Sequence, residues 1–190
     1  MWFKNATDEE VRAFTDSYST DPREGSPFDT GLLNQLGPQY KRLSAAIGDY
    51  VFHTGRRDLL EQTYAHGKRK SWTYLIEQSL PILGQIGLLG DLTNLPVLGS
   101  FHASDVAFNS FGLLPPLLSQ NSKNIMSTNI AFVNSLDPNN HGLDLPHWPN
   151  WTPDEKAMFR YKESGPDIIR DDFREAAMRL VNDNAETYMI

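Results

Sequence analysis

Leu95-Pro96-Val97-Leu98-Gly99-Ser100-Phe101-His102-Ala103-Ser104-Asp105 is the stretch that decides how this chain is read. A short apolar run closes at Gly99, and a histidine follows on a loop at what reads as a strand end. Ala103 or Ser104 then stands near a cap position, so a short helix is expected from Ala103 to Phe111. A histidine so placed is a candidate general base, because its ordinary pKa lies close to neutral. The alternative is a buried histidine satisfied by backbone groups, since a catalytic one needs a nucleophile and an orienting acid.

His102 lies in a stretch with very little charge. From Gln78 to Leu136 only Asp91, Asp105 and Lys123 are charged, whereas the chain average of 22% would put about 13 charges there. A small self-contained domain keeps much of its area wet. The charge-poor third is therefore either a segment buried in something large, or a polar, uncharged loop region. The longest uncharged run, Val106 to Ser122, contains Asn, Ser, Gln, Gly and two prolines and is no transmembrane span. The whole chain has 190 residues, enough for one domain, and a net charge of −7. Such an acidic chain is a poor candidate for nucleic acid. It has no cysteine, which excludes disulfides, thiolate zinc sites and a cysteine nucleophile.

Outward from this centre, the N-terminal Met-Trp-Phe-Lys carries no signal-peptide apolar region. Thr7 and Glu10 have capping-box spacing, and Val11, Phe14 and Tyr18 predict a helix from Asp8 to Tyr18. Leu36, Tyr40, Leu43, Ile47, Tyr50 and Val51 predict a second helix from about Pro38, with Gly48 as an interruption and Arg56-Arg57 toward its end. Trp72-Thr73-Tyr74-Leu75-Ile76 reads as a short buried strand. Ile125, Asn129, Phe132, Val133 and Leu136 share one helical face before Asp137-Pro138 stops it. Met158-Phe159-Arg160-Tyr161 reads as a late strand. Ile169, Phe173, Ala176, Ala177 and Leu180 predict the last helix.

The usual chemical motifs are missing. There is no Gly-x-Ser-x-Gly, no dinucleotide or phosphate-binding glycine pattern and no His-Glu-x-x-His, so no cofactor is expected. His141, Asp144 and His147 lie close in sequence, but their spacing fits no common metal site and a Pro-rich turn accounts for them. His53 and His66 flank basic residues and read as surface groups. Asn5-Ala6-Thr7 and Asn150-Trp151-Thr152 are N-glycosylation sequons.

Taken in order, several stretches resemble one family. They are Gly25-Ser26-Pro27-Phe28-Asp29-Thr30-Gly31, Gln39-Tyr40-Lys41-Arg42, Gly48-Asp49 with Arg56-Arg57, and Trp72-Thr73-Tyr74. Pro96 to Asp105, Phe132 to Asn139, Trp148-Pro149 and Asp171-Asp172-Phe173-Arg174 follow. The chain resembles the C-terminal portion of the fungal type-B carboxylesterases and lipases, in the α/β-hydrolase superfamily. The resemblance implies an α/β fold class: the C-terminal part of an α/β-hydrolase fold, with few strands, several helices and an incomplete sheet. It implies that residues 1–190 are a partial domain, about the last third, without the nucleophile-bearing part. It also implies that His102 is the histidine of a Ser-Glu-His site, that the substrate is an ester or lipid, and that the habitat is extracellular.

The sequence departs from the pattern in two respects. No residue matches the serine elbow or the orienting glutamate: Glu9 and Glu10 read as capping residues, and Asp105 sits on the histidine loop itself. The apolar stretch Leu80 to Asp91 is longer than the family usually has there. Three readings follow. The chain supplies His102 to a site completed by an upstream portion; or it is a non-catalytic, truncated hydrolase acting at most as an interaction module; or it is a small α+β binding domain with the Trp148–Trp151 loop as a ligand platform. A partial sheet would leave an edge and an apolar face bare, which favours oligomers.

Overall fold

Thr7 and Glu10 close the first helix reciprocally. The Thr7 hydroxyl accepts from the Glu10 N–H at 3.3 Å, and the Glu10 carboxylate accepts from the Thr7 N–H at 2.8 Å. With Asp8 and Glu9 also at its positive end, α1 runs Asp8–Asp16. The structure, a computed structural model, describes residues 3–78, 99–103, 106 and 120–188, which divide into two compact units. The expected helix at 103–111 and the Leu80–Asp91 stretch lie largely or wholly outside the described residues, as does most of the charge-poor third.

The first unit comprises residues 1–71 and 172–190. Its longest element is a rod: α2 (Tyr40–Gly48), a π turn (Asp49–His53) and α3 (Thr54–Ala65). Gly48 does not break it, and Arg56 and Arg57 stand near the start of α3 instead of closing the helix. A π turn holds about one residue more than an α turn, roughly 100° of helical rotation. Thr54, Arg57 and Leu60 thereby stay on the line of Lys41, Ala45 and Asp49, and all six are buried. The expected apolar face is thus on the outside: Leu43, Ile47 and Val51 are exposed, and a face rich in polar groups points inward. The core is aromatic. Phe3 meets Phe14, Tyr50 and Tyr188 edge-on at centroid distances of 5.1, 5.1 and 5.3 Å. The chain's end returns to α1, since the Tyr188 hydroxyl donates to the Glu10 carbonyl at 2.9 Å.

The second unit, residues 72–171, holds a three-stranded sheet. β1 (Tyr74–Ile76) pairs parallel with β2 (Ala157–Tyr161), Leu75 opposite Arg160. β3 (Asp167–Arg170) returns antiparallel, Arg160 opposite Asp167. β2 is central and nearly all apolar, with Ala157, Met158, Phe159 and Tyr161 buried. β1 is shorter and wetter than expected, with Tyr74 exposed. β3 takes Ile169 out of the expected last helix. That helix, α5, begins only at Glu175 and ends at Asp183, before a last turn, α6 (Ala185–Tyr188). Its buried residues are Ala177, Met178 and Val181.

Between β1 and β2 in the chain lies α4 (Gln120–Ser135), whose expected apolar face is inward at Ile125 but outward at its C-terminal end. It buries Asn121, Ser122, Asn124, Ile125, Thr128 and Ala131, and leaves Phe132, Val133 and the following Leu136 exposed. The reason is a hydrogen-bond network that an apolar face could not make. Asn121 donates to the Lys162 carbonyl at 2.7 Å, and the Thr128 and Tyr161 hydroxyls pair at 2.8 Å. The Trp148–Trp151 loop is no ligand platform. Both indoles are buried, and Trp148 packs on Phe159 at 4.8 Å. Asn139 holds the loop from behind, accepting from the Trp148 N–H at 2.8 Å and donating to its carbonyl at 3.1 Å.

Candidate functional site

His102 sits on a tight turn in the second unit, and it is exposed. Gly99 before it has φ +55° and Ala103 after it has φ +66°. A left-handed alanine costs roughly 1 kcal/mol, so the chain reverses here at some expense. The Val106 N–H donates to the Ala103 carbonyl at 3.2 Å, just after the histidine. The expectation of a buried histidine is not met, since His102 is exposed. Asp105, its nearest acid in sequence, lies outside the described residues.

Other described histidines have local partners of their own. His141 is part of its own turn, its Nδ1 accepting from the Leu143 N–H at 3.0 Å. Among the described residues no three His, Asp or Glu side chains converge as a metal site. His53 is not a plain surface group: it is half-buried and meets the Phe173 ring edge-on at 5.2 Å. His66 is exposed and caps its own helix through the Gln62 carbonyl at 2.9 Å. A hollow of about 210 Å³ opens beside α4, lined by Ser127, Asn134, Ser135 and His141 among others. Its Ser135 hydroxyl donates to the Ala131 carbonyl at 2.8 Å and accepts from the Asn140 amide at 3.1 Å.

Charged groups that the sequence reading did not single out meet in the first unit. Asp49 is fully buried and takes a two-pronged bond from Arg174, Nε at 2.6 Å and Nη2 at 2.7 Å. Burial pushes its carboxyl above the usual value, against the pull of Arg174 and Arg57. Arg174 also lies over the Phe28 ring at 4.7 Å. Arg57 donates to the Phe173 carbonyl at 3.0 Å. Lys41 is fully buried and donates to Thr30 Oγ1 at 2.6 Å and the Gly31 carbonyl at 2.8 Å. Burial lowers its pKa. These residues come from the same quoted stretches: Gly25–Gly31, Lys41-Arg42, Gly48-Asp49, Arg56-Arg57 and Phe173-Arg174. The first-unit motifs therefore mark a buried scaffold.

In the second unit, Arg160 on β2 bridges Asp167 at 2.8 Å and Glu77 at 3.2 Å. Arg160, then Lys162 at 2.6 Å, hold the Asp167 carboxyl well below the ordinary carboxylate range. This cluster ties the three strands together and offers no empty ligand position.

No family profile matches the chain. Comparison with curated proteins finds the secreted triacylglycerol lipase LIP1 of Gibberella zeae, 31% identical over 191 residues, covering 100% of this chain and 30% of that protein. Lipase 5 of Diutina rugosa is 36% identical over 177 residues, covering 92% and 28%. Lipase 1 of Geotrichum candidum is 37% identical over 152 residues, covering 80% and 23%. The chain thus spans about 30% of the length of the relatives it matches. Among solved structures, the crystal structure of Aspergillus niger EstA superposes with a TM-score of 0.64 at 14% identity. It covers 99% of this chain and 35% of that one, a likeness of fold.

Proposed function

Since the chain corresponds to the C-terminal portion of a fungal type-B carboxylesterase/lipase, with the α/β-hydrolase fold, we propose that it supplies His102 as the proton-transferring base of a carboxylic ester hydrolase. The carrying observation is the exposed His102, on a turn between two left-handed residues, inside the densest of the ordered motifs. The nucleophilic serine, the orienting glutamate and the oxyanion donors belong to the portion that these 190 residues do not match. The serine oxygen attacks the ester carbonyl as the imidazole takes its proton. The same proton then passes to the departing alcohol, and water repeats the cycle on the acyl-enzyme. The chain alone is inactive on this reading, because one imidazole offers neither nucleophile nor oxyanion hole. The substrate is a carboxylic ester of the lipid class, as the names of the relatives suggest.

The relatives of Gibberella zeae and Botryotinia fuckeliana are named as secreted, which supports an extracellular setting. Asn5 and Asn150 are both exposed, as acceptor sites for glycan need to be. Among the described residues no helix is long and apolar enough to cross a membrane.

The test is to combine the chain with the serine-bearing portion and follow hydrolysis of short acyl esters. Activity that disappears in His102→Ala, while binding persists, supports the proposal. Activity equal in wild type and His102→Ala overturns it. The second reading, a non-catalytic module, is favoured by the absence of any serine elbow in the sequence, and it expects no hydrolysis in either mixture.

A further inference from the structure

Adjacent basic residues occur at three places in the chain: Lys41-Arg42, Arg56-Arg57 and the run Lys68-Arg69-Lys70. The fold treats them differently. The first two pairs lie inside α2 and α3, and Lys41 and Arg57 are buried. Their side chains are engaged: Lys41 donates to the Gly31 carbonyl at 2.8 Å, Arg42 to the Tyr18 carbonyl at 2.9 Å and Arg57 to the Phe173 carbonyl at 3.0 Å. The third run lies just beyond α3, where every residue from Ala65 to Lys70 is exposed. Residues 68–73 belong to no helix or strand. Among the described residues, Arg69, Lys70 and Ser71 make no hydrogen bond and no ion pair.

An endoprotease takes its substrate as an extended strand, so a cleavable bond must be exposed and easily drawn out of its local structure. A basic pair inside a packed helix fails on both counts. The Lys68 run meets both. Two backbone bonds tie it to α3, from the His66 N–H to the Gln62 carbonyl at 2.9 Å and from the Lys68 N–H to the Tyr64 carbonyl at 2.7 Å. They close the last turn of a helix, which frays first. Gly67 and Lys68 have φ +142° and +50°. A left-handed lysine is costly, and that cost is relieved when the segment is drawn out straight.

We propose that Lys68-Arg69-Lys70 is a processing site, cut between Arg69 and Lys70 by an endoprotease with acidic pockets for two successive basic side chains. Lys68 and Arg69 fill those pockets. Arg69 stands next to the scissile bond because its planar guanidinium takes a carboxylate two-pronged, which a lysine cannot do. The step consumes one water. The Arg69–Lys70 amide bond breaks, the hydroxyl goes to the Arg69 carbonyl carbon, and the proton goes to the Lys70 nitrogen as a new amino terminus. The product is a nicked protein whose two pieces stay together. The first unit, residues 1–71 and 172–190, is built from both pieces, whereas the second, 72–171, lies wholly in the C-terminal piece. Across the nick Arg174 still grips Asp49 at 2.6 Å, and the Tyr188 hydroxyl still donates to the Glu10 carbonyl at 2.9 Å.

The test incubates the full 190-residue chain with a purified subtilisin-type endoprotease specific for paired basic residues, and follows the products by intact mass. Synthetic peptides of residues 37–47, 52–62 and 64–74 serve as unfolded references. All three peptides should be cut, after Arg42, Arg57 and Arg69. The folded chain should be cut after Arg69 at least about 100-fold faster than after Arg42 or Arg57, which become available only when the helices open. Arg69→Gln should slow that cut by about 100-fold or more, because a desolvated charge pair with the protease is lost. Its circular dichroism should match wild type, since Arg69 is exposed. After cutting, denaturing electrophoresis should show two pieces, and gel filtration a single peak at the position of the uncut chain. A 64–74 peptide that is not cut, a folded chain that resists while that peptide is cut, or a first cut at another basic residue overturns the proposal. So does an Arg69→Gln chain cut at the same bond as fast as wild type. Pieces that separate on gel filtration overturn the nicked product.

Discussion

Replacing Asp49 by Asn keeps the shape of the side chain and removes its charge. Asp49 is fully buried, and the Arg174 side chain that grips it is only 14% exposed. The variant leaves a guanidinium in the same site without its counter-charge. Removing one partner of a buried pair costs about 3–5 kcal/mol, mostly because the other charge stays desolvated. Part of that loss is softened by the Phe28 and Phe173 rings, over which Arg174 lies at 4.7 and 5.2 Å. Hydrogen exchange read on peptides from residues 40–65 reports the opening of the rod directly. Exchange there should speed up roughly 100- to 3,000-fold, since each 1.4 kcal/mol is about a factor of ten. The double variant Asp49→Asn with Arg174→Met should recover much of the loss, because the Arg174 guanidinium is no longer left there without its counter-charge. An acceleration below about tenfold, or a double variant that costs the sum of the two singles, would refute the view that this pair locks the rod.

Three further outcomes follow from local geometry. Thr7→Ala removes the hydroxyl that accepts from the Glu10 N–H and leaves the backbone N–H that donates to the Glu10 carboxylate, so α1 should lose about 1 kcal/mol and exchange about fivefold faster, read on peptides from residues 8–16. Gly25→Ala would place a methyl 2.6 Å from the Lys41 Cβ and 2.7 Å from the Lys41 carbonyl carbon and oxygen. It should lower stability by about 1–3 kcal/mol in urea unfolding, because backbone must give way. Asp167 has a carboxyl held below its ordinary range by Arg160 and Lys162, so its contribution is present above about pH 4 and fades as pH falls below that. Since the side chain is 36% exposed, the loss should stay under about 1 kcal/mol. Acid titration followed by exchange of residues 157–170 should show it in wild type and not in Asp167→Asn.

Local chemistry was the most legible level. The capping box of α1 and the β2 strand were readable because each rests on neighbouring residues. Helix faces were misread on the α2–α3 rod and on the C-terminal half of α4, and for one reason in both. Periodicity finds the apolar side of a helix and assumes that this side is inside. In both places the inside is held by polar groups that find partners far along the chain, such as Arg174 for Asp49 and Lys162 for Asn121. No spacing rule announces a partner 125 residues away. Ile169 was misplaced because an apolar residue four before Phe173 suits a helix and a strand alike. The motifs around Lys41, Asp49 and Arg174 were recognisable from the resemblance, but their roles as buried ties emerge only from the contacts. His102 could be picked out because its motif is distinctive. Its exposure could not be read from composition.

The π turn at Asp49–His53 sets a limit on how this chain can vary. Its surplus residue acts as a phase shifter between two helices. Losing any one residue from it would let the rod relax into a continuous α-helix and would rotate everything downstream by about 100°. Arg57 would then leave the Phe173 carbonyl, and Leu60 would swing out of the core. A substitution here is absorbed one side chain at a time, but a single-codon deletion would misalign twelve residues of α3 at once. Among related sequences, length across positions 49–53 should therefore be held more strictly than identity.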